Sequence, residues 1–202
     1  MPPLSRRFDD AFTYAHEVHG AQVRKGNGVP YIGHLIGVAS IVIDDGGTED
    51  EAIAALLHDA IEDQAEPFGG APKLRAAIRE RFGETVLAIV EGLTDADSVP
   101  KPPWKERKVA YLARLATAGP SILLVSCADK LHNARSTVAD LAAAPDRDAY
   151  WKKFNGGKDG TLWYYRSLAK IFLERSPGRL SEELARAVLE LTALVKPKAA
   201  SP

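Results

Sequence analysis

One cysteine and one methionine occur in the 202 residues, and neither sign of charge predominates. Cys127 alone closes no intramolecular disulfide, which excludes a small secreted scaffold held together by bridges. Lys and Arg number 26 against 27 Asp and Glu, a formal net charge of -1. That balance supplies no overall field for nucleic acid or an anionic lipid surface, so any anion must be met by a local cluster. No apolar run approaches the about 18 residues that a membrane span needs. Arg6 and Arg7 are not followed by the apolar core of a secretory signal. These absences predict a protein of the reducing cytoplasm with neither nucleic acid nor membrane as a partner, and they leave monomer and homodimer both open.

What is present is ordinary for a globular chain: 46% hydrophobic and 26% charged residues. The length suits one domain, expected over residues 1–196, with a flexible tail over 197–202. Apolar residues recur with helical period almost throughout. Phe8, Phe12 and Ala15 open a first amphipathic helix, and residues 26–30 break the chain. Leu35, Val38, Ala39 and Val42 mark a second. Thr48 with Glu51 reads as a capping box for a single helix running through Ile53, Leu56, Leu57, Ala60 and Ile61. Gly83 sits where a helix C-cap belongs. The run Ile122–Val125 has the length of a buried strand, but Ala128, Leu131 and Ala134 continue the stripe and make it a helix. Residues 94–103 are expected to be an exposed loop. The reading is all-α, a bundle of about nine or ten helices.

The informative segment is His58-Asp59-Ala60-Ile61-Glu62-Asp63, at the end of an otherwise apolar helix. Three carboxylates and an imidazole crowd into two turns, with His58 and Glu62, and Asp59 and Asp63, four residues apart. Carboxylates so close raise one another's pKa unless a cation sits among them. A solvated helix end is the alternative reading. His34 on the preceding helix and Asp129, at the end of another apolar run, favour a cation. Imidazole with carboxylate suits Mn²⁺, Fe²⁺ or Zn²⁺ better than Ca²⁺.

His34, the His58-Asp59 doublet and Asp129 together resemble the H…HD…D pattern of HD-domain metal-dependent phosphohydrolases. The chain is more narrowly similar to the hydrolase domain of the Rel/Spo enzymes of the stringent response, and to the stand-alone small alarmone hydrolases. Four stretches carry this: residues 23–26 with Pro30-Tyr31-Ile32-Gly33-His34; residues 54–63; Glu106-Arg107-Lys108; and Ala128-Asp129-Lys130-Leu131-His132-Asn133. The resemblance implies a single HD domain in which His34, His58, Asp59 and Asp129 ligate one divalent metal ion, usually Mn²⁺. It implies that Glu62 and Asp63 orient and deprotonate the attacking water. Arg24, Lys25, Asn133, Ser136 and Tyr164 would contact a guanine-nucleotide alarmone, and Lys105 and Lys108 are secondary candidates for its phosphate. The implied reaction removes pyrophosphate from the 3′ position of (p)ppGpp, giving GDP or GTP.

Two local departures accompany the match. Leu35 stands where the family usually has proline, and the loop between Arg24 and Tyr31 is one residue longer. An HD phosphohydrolase acting on another nucleotide, such as a nucleotidase or an NADPH 2′-phosphatase, shares the same ligands and stays open at this point, as does a non-catalytic alarmone-binding module. Intact Glu62 and Asp63 weigh against the last. Residues 163–166 resemble the family's closing helix more loosely, with Trp163 and Tyr165 read as core. His16, His19 and His132 match no ligand position and read as structural or exposed. Nothing in the chain matches the family's synthetase domain.

Overall fold

Helix follows helix through a computed structural model that describes residues 3–24, 28–96, 98 and 100–195. The helices are α1 (Arg6–His19), α2 (Ile32–Asp44), α3 (Glu49–Leu57), α4 (Ala60–Gln64), α5 (Ala71–Phe82), α6 (Glu84–Leu93), α7 (Trp104–Leu115), α8 (Pro120–Ala143), α9 (Arg147–Trp151), α10 (Gly157–Arg175) and α11 (Arg179–Val195). The all-α class is as expected. The tail expected over 197–202 and the candidate Lys25 lie outside the described residues. Among the described residues, no helix is long and apolar enough to cross a membrane.

At the centre stands α3, whose residues from Ala52 to Leu57 are all buried. Helices α1, α2, α6 and α8 surround it, which is why its sequence is apolar on every face rather than on one stripe. Its start is the expected capping box: the Thr48 hydroxyl accepts the Glu51 N–H, and Glu51 accepts the Thr48 N–H at 2.6 Å. The Ile122–Val125 run is helical, inside the long α8, because that helix packs on α2, α3 and α6 while α11 covers its outer side. Gly83, at φ 92°, ends α5 and opens α6, a backbone angle that L-residues with a Cβ rarely adopt.

The helix expected over residues 48–63 is two. The chain turns at His58-Asp59 (Asp59 φ -97°, ψ 0°) and resumes as α4. No Gly or Pro marks the break, and its cause is geometric. Adjacent side chains on a continuous helix diverge by about 100°, so a neighbouring imidazole and carboxylate meet at one point only if the helix bends between them.

The core is packed tightly enough for a single truncation to be felt. Ile53 is fully buried on α3, and Ile53→Ala is expected to cost about 2–5 kcal/mol from lost burial and the cavity left behind. Urea denaturation followed by circular dichroism checks this; a loss under about 1 kcal/mol would mean that α3 is not the centre of the core.

Candidate active site

Three elements converge at one end of the central helix: α2 brings His34, the α3–α4 corner brings His58 and Asp59, and α8 brings Asp129. Leu35, in place of the family's proline, simply continues α2 and is fully buried. The His58 Nε2 is 3.0 Å from Asp59 Oδ2 and 3.6 Å from Asp129 Oδ1. The His34 Nε2 is 3.3 Å from Asp129 Oδ1 and 3.8 Å from Asp59 Oδ2. His34, His58 and Asp59 each offer a ligand atom within 4.8 Å of the others. The arrangement fits a cation on an independent ground as well. Both Nε2 atoms are buried without a hydrogen-bond partner, a costly state for polar atoms that have no ligand to meet. Donors about 2.1 Å from one metal stand about 3.0 to 3.4 Å from each other, close to the spacing seen.

Each donor is held from behind. His58 Nδ1–H donates to the Ala55 carbonyl at 2.8 Å, which leaves Nε2 free to face the site. His34 Nδ1 meets His132 Nδ1 at 2.9 Å. The Tyr31 hydroxyl donates to Asp59 Oδ2 at 2.5 Å, and Asn133 Nδ2–H donates to Asp129 Oδ1 at 2.6 Å. Lys130 Nζ sits 2.6 Å from the other Asp129 oxygen.

The charges answer one another. Burial alone would lower the His58 imidazole, but Asp59 and Asp129 more than offset it and hold its pKa well above the ordinary value. Burial likewise opposes the ionised Asp59, which His58 nevertheless keeps well below the usual carboxylate range. Burial lowers His34, and it pushes His132 down to about 4. The two carboxylates thus favour positive charge at this point, which a divalent ion would supply.

Beside the donors opens a polar slot of about 190 Å³, lined by Tyr31, Asp59, Glu62, Asp63, Asp95, Lys108, Asp129, Lys130, Asn133 and Tyr164 among others. Asp63 accepts from Gln22 Nε2–H at 2.9 Å. Desolvation at the slot and the neighbouring Asp59 push its carboxyl up to about 6. Glu62 is more tightly held, by Lys101 at 3.0 Å and by the Asp95 backbone N–H at 3.1 Å. Asp95 in turn pairs with Arg107, and with Lys108 at 2.8 Å. The Tyr164 hydroxyl is buried and unpartnered at the slot wall.

A second cavity, about 210 Å³, shares Asn133 with the slot and is also lined by Arg24, Ser136, Asp140, Tyr150, Lys153, Phe154 and Tyr165. Arg24 reaches it despite the longer loop. Val23 and Pro30 form an antiparallel bridge, Arg24 N–H donates to the Val29 carbonyl at 2.9 Å, and the Arg24 guanidinium donates to Asn133 Oδ1 at 3.0 Å. Tyr165, read from the sequence as core, is buried and also faces this cavity. Trp163 lies half-buried with Lys105 over its ring; Lys105 is exposed, and neither residue lines either cavity.

Sequence reasoning assigned no role to Tyr31, Gln22 or Lys130, and it set His132 apart from the ligands. Only Asp129 and His132, three residues apart and so on one helix face, carried a legible signal.

The family model for the HD domain matches residues 11–154. A Xenopus tropicalis protein named guanosine-3′,5′-bis(diphosphate) 3′-pyrophosphohydrolase MESH1 is 39% identical over 129 residues, 62% of this chain and 66% of that protein. An Aquifex aeolicus guanosine-3′,5′-bis(diphosphate) 3′-pyrophosphohydrolase is 32% identical over 135 residues, 67% of this chain but 18% of its own length. Among solved structures, one described as a metazoan ortholog of SpoT that hydrolyzes ppGpp superposes with a TM-score of 0.74 at 24% identity. The alignment covers 96% of this chain and all of that one, and it shows a shared fold.

Proposed function

From the premise that this chain belongs to the HD-domain family, we propose that it is a metal-dependent hydrolase releasing pyrophosphate from the 3′ position of (p)ppGpp. The observation that carries the proposal is the convergence of His34, His58, Asp59 and Asp129 donor atoms, 3.0–3.8 Å apart, on a slot that also holds Glu62, Asp63, Lys108 and Lys130. The pyrophosphohydrolase names of the relatives support the choice of substrate.

His34, His58, Asp59 and Asp129 would hold one divalent ion; their mixed nitrogen and oxygen donors suit Mn²⁺, Fe²⁺ or Zn²⁺, and we assign Mn²⁺ on the family resemblance. When bound, the cation supplies Lewis acidity, withdrawing charge from a phosphoryl oxygen and acidifying water. The protein's own groups do the rest. Water adds to the phosphorus on the ribose 3′ oxygen, the bond from that phosphorus to the 3′ oxygen breaks, and the oxygen departs as a hydroxyl. Asp63, the less encumbered acid, takes the proton from the water and returns it to the leaving 3′ oxygen. Glu62 anchors residues 95 and 101 at the slot and orients the water. Lys108 and Lys130 neutralise the departing pyrophosphate. Arg24 and Asn133 bridge from the slot to the second cavity, which takes the nucleoside against Ser136 and its aromatic wall, while the Tyr164 hydroxyl contacts substrate from the slot side. Lys25 keeps the substrate role that the family match implies, on sequence alone.

Incubation of the purified chain with ppGpp and Mn²⁺ tests this. Equal amounts of GDP and pyrophosphate are expected, and a chelator should stop the reaction. Orthophosphate as the product would instead assign the same centre to a different nucleotide phosphohydrolase. Bound nucleotide with no turnover would make the chain a binding module.

A further inference from the structure

We propose that His132 is a positioning residue for the metal centre, fixing the proton and ring angle of His34 through an imidazole–imidazole hydrogen bond. The inference rests on the metal reading given above and adds to it a group that is not itself a ligand. The Nδ1 atoms of His34 and His132 are 2.9 Å apart, with ring centroids at 4.8 Å and the planes tilted by 56°. Such a contact requires one nitrogen to carry the proton and the other to offer its lone pair. His34 Nε2 faces Asp59 and Asp129 and must be bare to bind a cation. The His34 proton therefore belongs on Nδ1, and His132 Nδ1 accepts it, with the His132 proton on Nε2.

The fold makes room for this pair. Gly37 lies one turn beyond His34 on α2, and a Cβ there would collide with the His132 ring at Nε2 and Cδ2. Glycine inside a helix costs about 1 kcal/mol relative to alanine, and here it opens a notch that the imidazole of α8 fills. Asp129 and His132 share a face of α8, so one helix delivers both a ligand oxygen and the partner that orients a ligand nitrogen on α2. The two ligand histidines are thus held differently. His58 is set by a carbonyl, which can only accept. His34 is set by a side chain that can be exchanged without touching any ligand.

Titrating the full-length chain with Mn²⁺, with free ion read by electron paramagnetic resonance, tests the assignment. Replacement of an outer partner typically weakens metal binding by about 10- to 100-fold, and His132→Leu is expected to fall in that range. His132→Asn, whose Oδ1 can accept from His34 Nδ1–H, is expected to bind close to the parent. Gly37→Ala, which favours the helix itself, is expected to weaken Mn²⁺ binding by displacing the ring, while circular dichroism shows α2 retained. His132→Leu binding Mn²⁺ like the parent would overturn the proposal, and so would His132→Asn failing as badly as His132→Leu, since that would reduce His132 to packing. A parent chain that binds no Mn²⁺ would overturn the metal reading first, and this inference with it.

Discussion

Asp59→Ala is expected to abolish turnover and to weaken divalent-metal binding by more than the about 100-fold that marks the upper cost of losing an outer partner. Asp59 Oδ2 stands 3.0 Å from His58 Nε2 and accepts the Tyr31 hydroxyl, so the truncation removes a ligand and strands two polar groups facing it. The carboxylate also raises the His58 pKa against the lowering effect of burial, and its loss weakens that support. Calorimetric titration with Mn²⁺ and a pyrophosphate assay read the two losses separately. Asp59→Asn, which keeps the volume, guards against a fold effect: the amide should fill the space, leave the helical spectrum unchanged, and still lack activity. Turnover within tenfold of the parent would remove Asp59 from the centre.

The second large effect is expected at Asp63. Asp63→Asn should lower kcat by about 10²- to 10⁴-fold, the usual worth of a positioned general base, while Mn²⁺ affinity stays near the parent's because the ligands are untouched. That split separates a proton acceptor from a ligand. The pH dependence follows the same residue. The Asp63 carboxyl is pushed up to about 6 by desolvation and by Asp59, and a base works only when ionised. The rate should therefore fall as pH drops through that region and level off above it, with the midpoint moved down once a cation partly neutralises Asp59. A raised carboxyl pKa also means that the folded metal-free state holds a proton that the unfolded chain has released. Asp63 thus costs stability progressively as pH rises from the ordinary carboxylate range through about 6. An acid limb that persists unchanged in Asp63→Asn would assign it to another group.

Most of the architecture was legible because helices advertise themselves by period. Leu35, Val38, Ala39 and Val42 predicted α2, Thr48 with Glu51 predicted the start of α3, and the stripe through Leu131 decided that residues 122–125 are helix. The break at His58-Asp59 was not legible. It has no Gly or Pro, and it arises from the need for two adjacent side chains to reach one point, a tertiary demand that local propensity does not record. At the site, the H…HD…D spacing brought four residues together that the fold indeed gathers. The groups behind them were hidden for a different reason. Tyr31, Gln22 and His132 act through single hydrogen bonds across 28, 41 and 98 positions of sequence, and nothing in the residues around them marks which distant group each one meets. Gly37 costs helix propensity by itself, and only the His132 ring set in its notch explains it.

The most direct test of the account runs the reaction in ¹⁸O-labelled water with ppGpp and Mn²⁺ and reads the products by mass spectrometry. Attack on the 3′ phosphorus places one label in pyrophosphate and none in GDP, and only when the metal is present. Label in the nucleoside, label in orthophosphate, or the same release after chelation would contradict a metal-dependent 3′-pyrophosphohydrolase centred on His34, His58, Asp59 and Asp129.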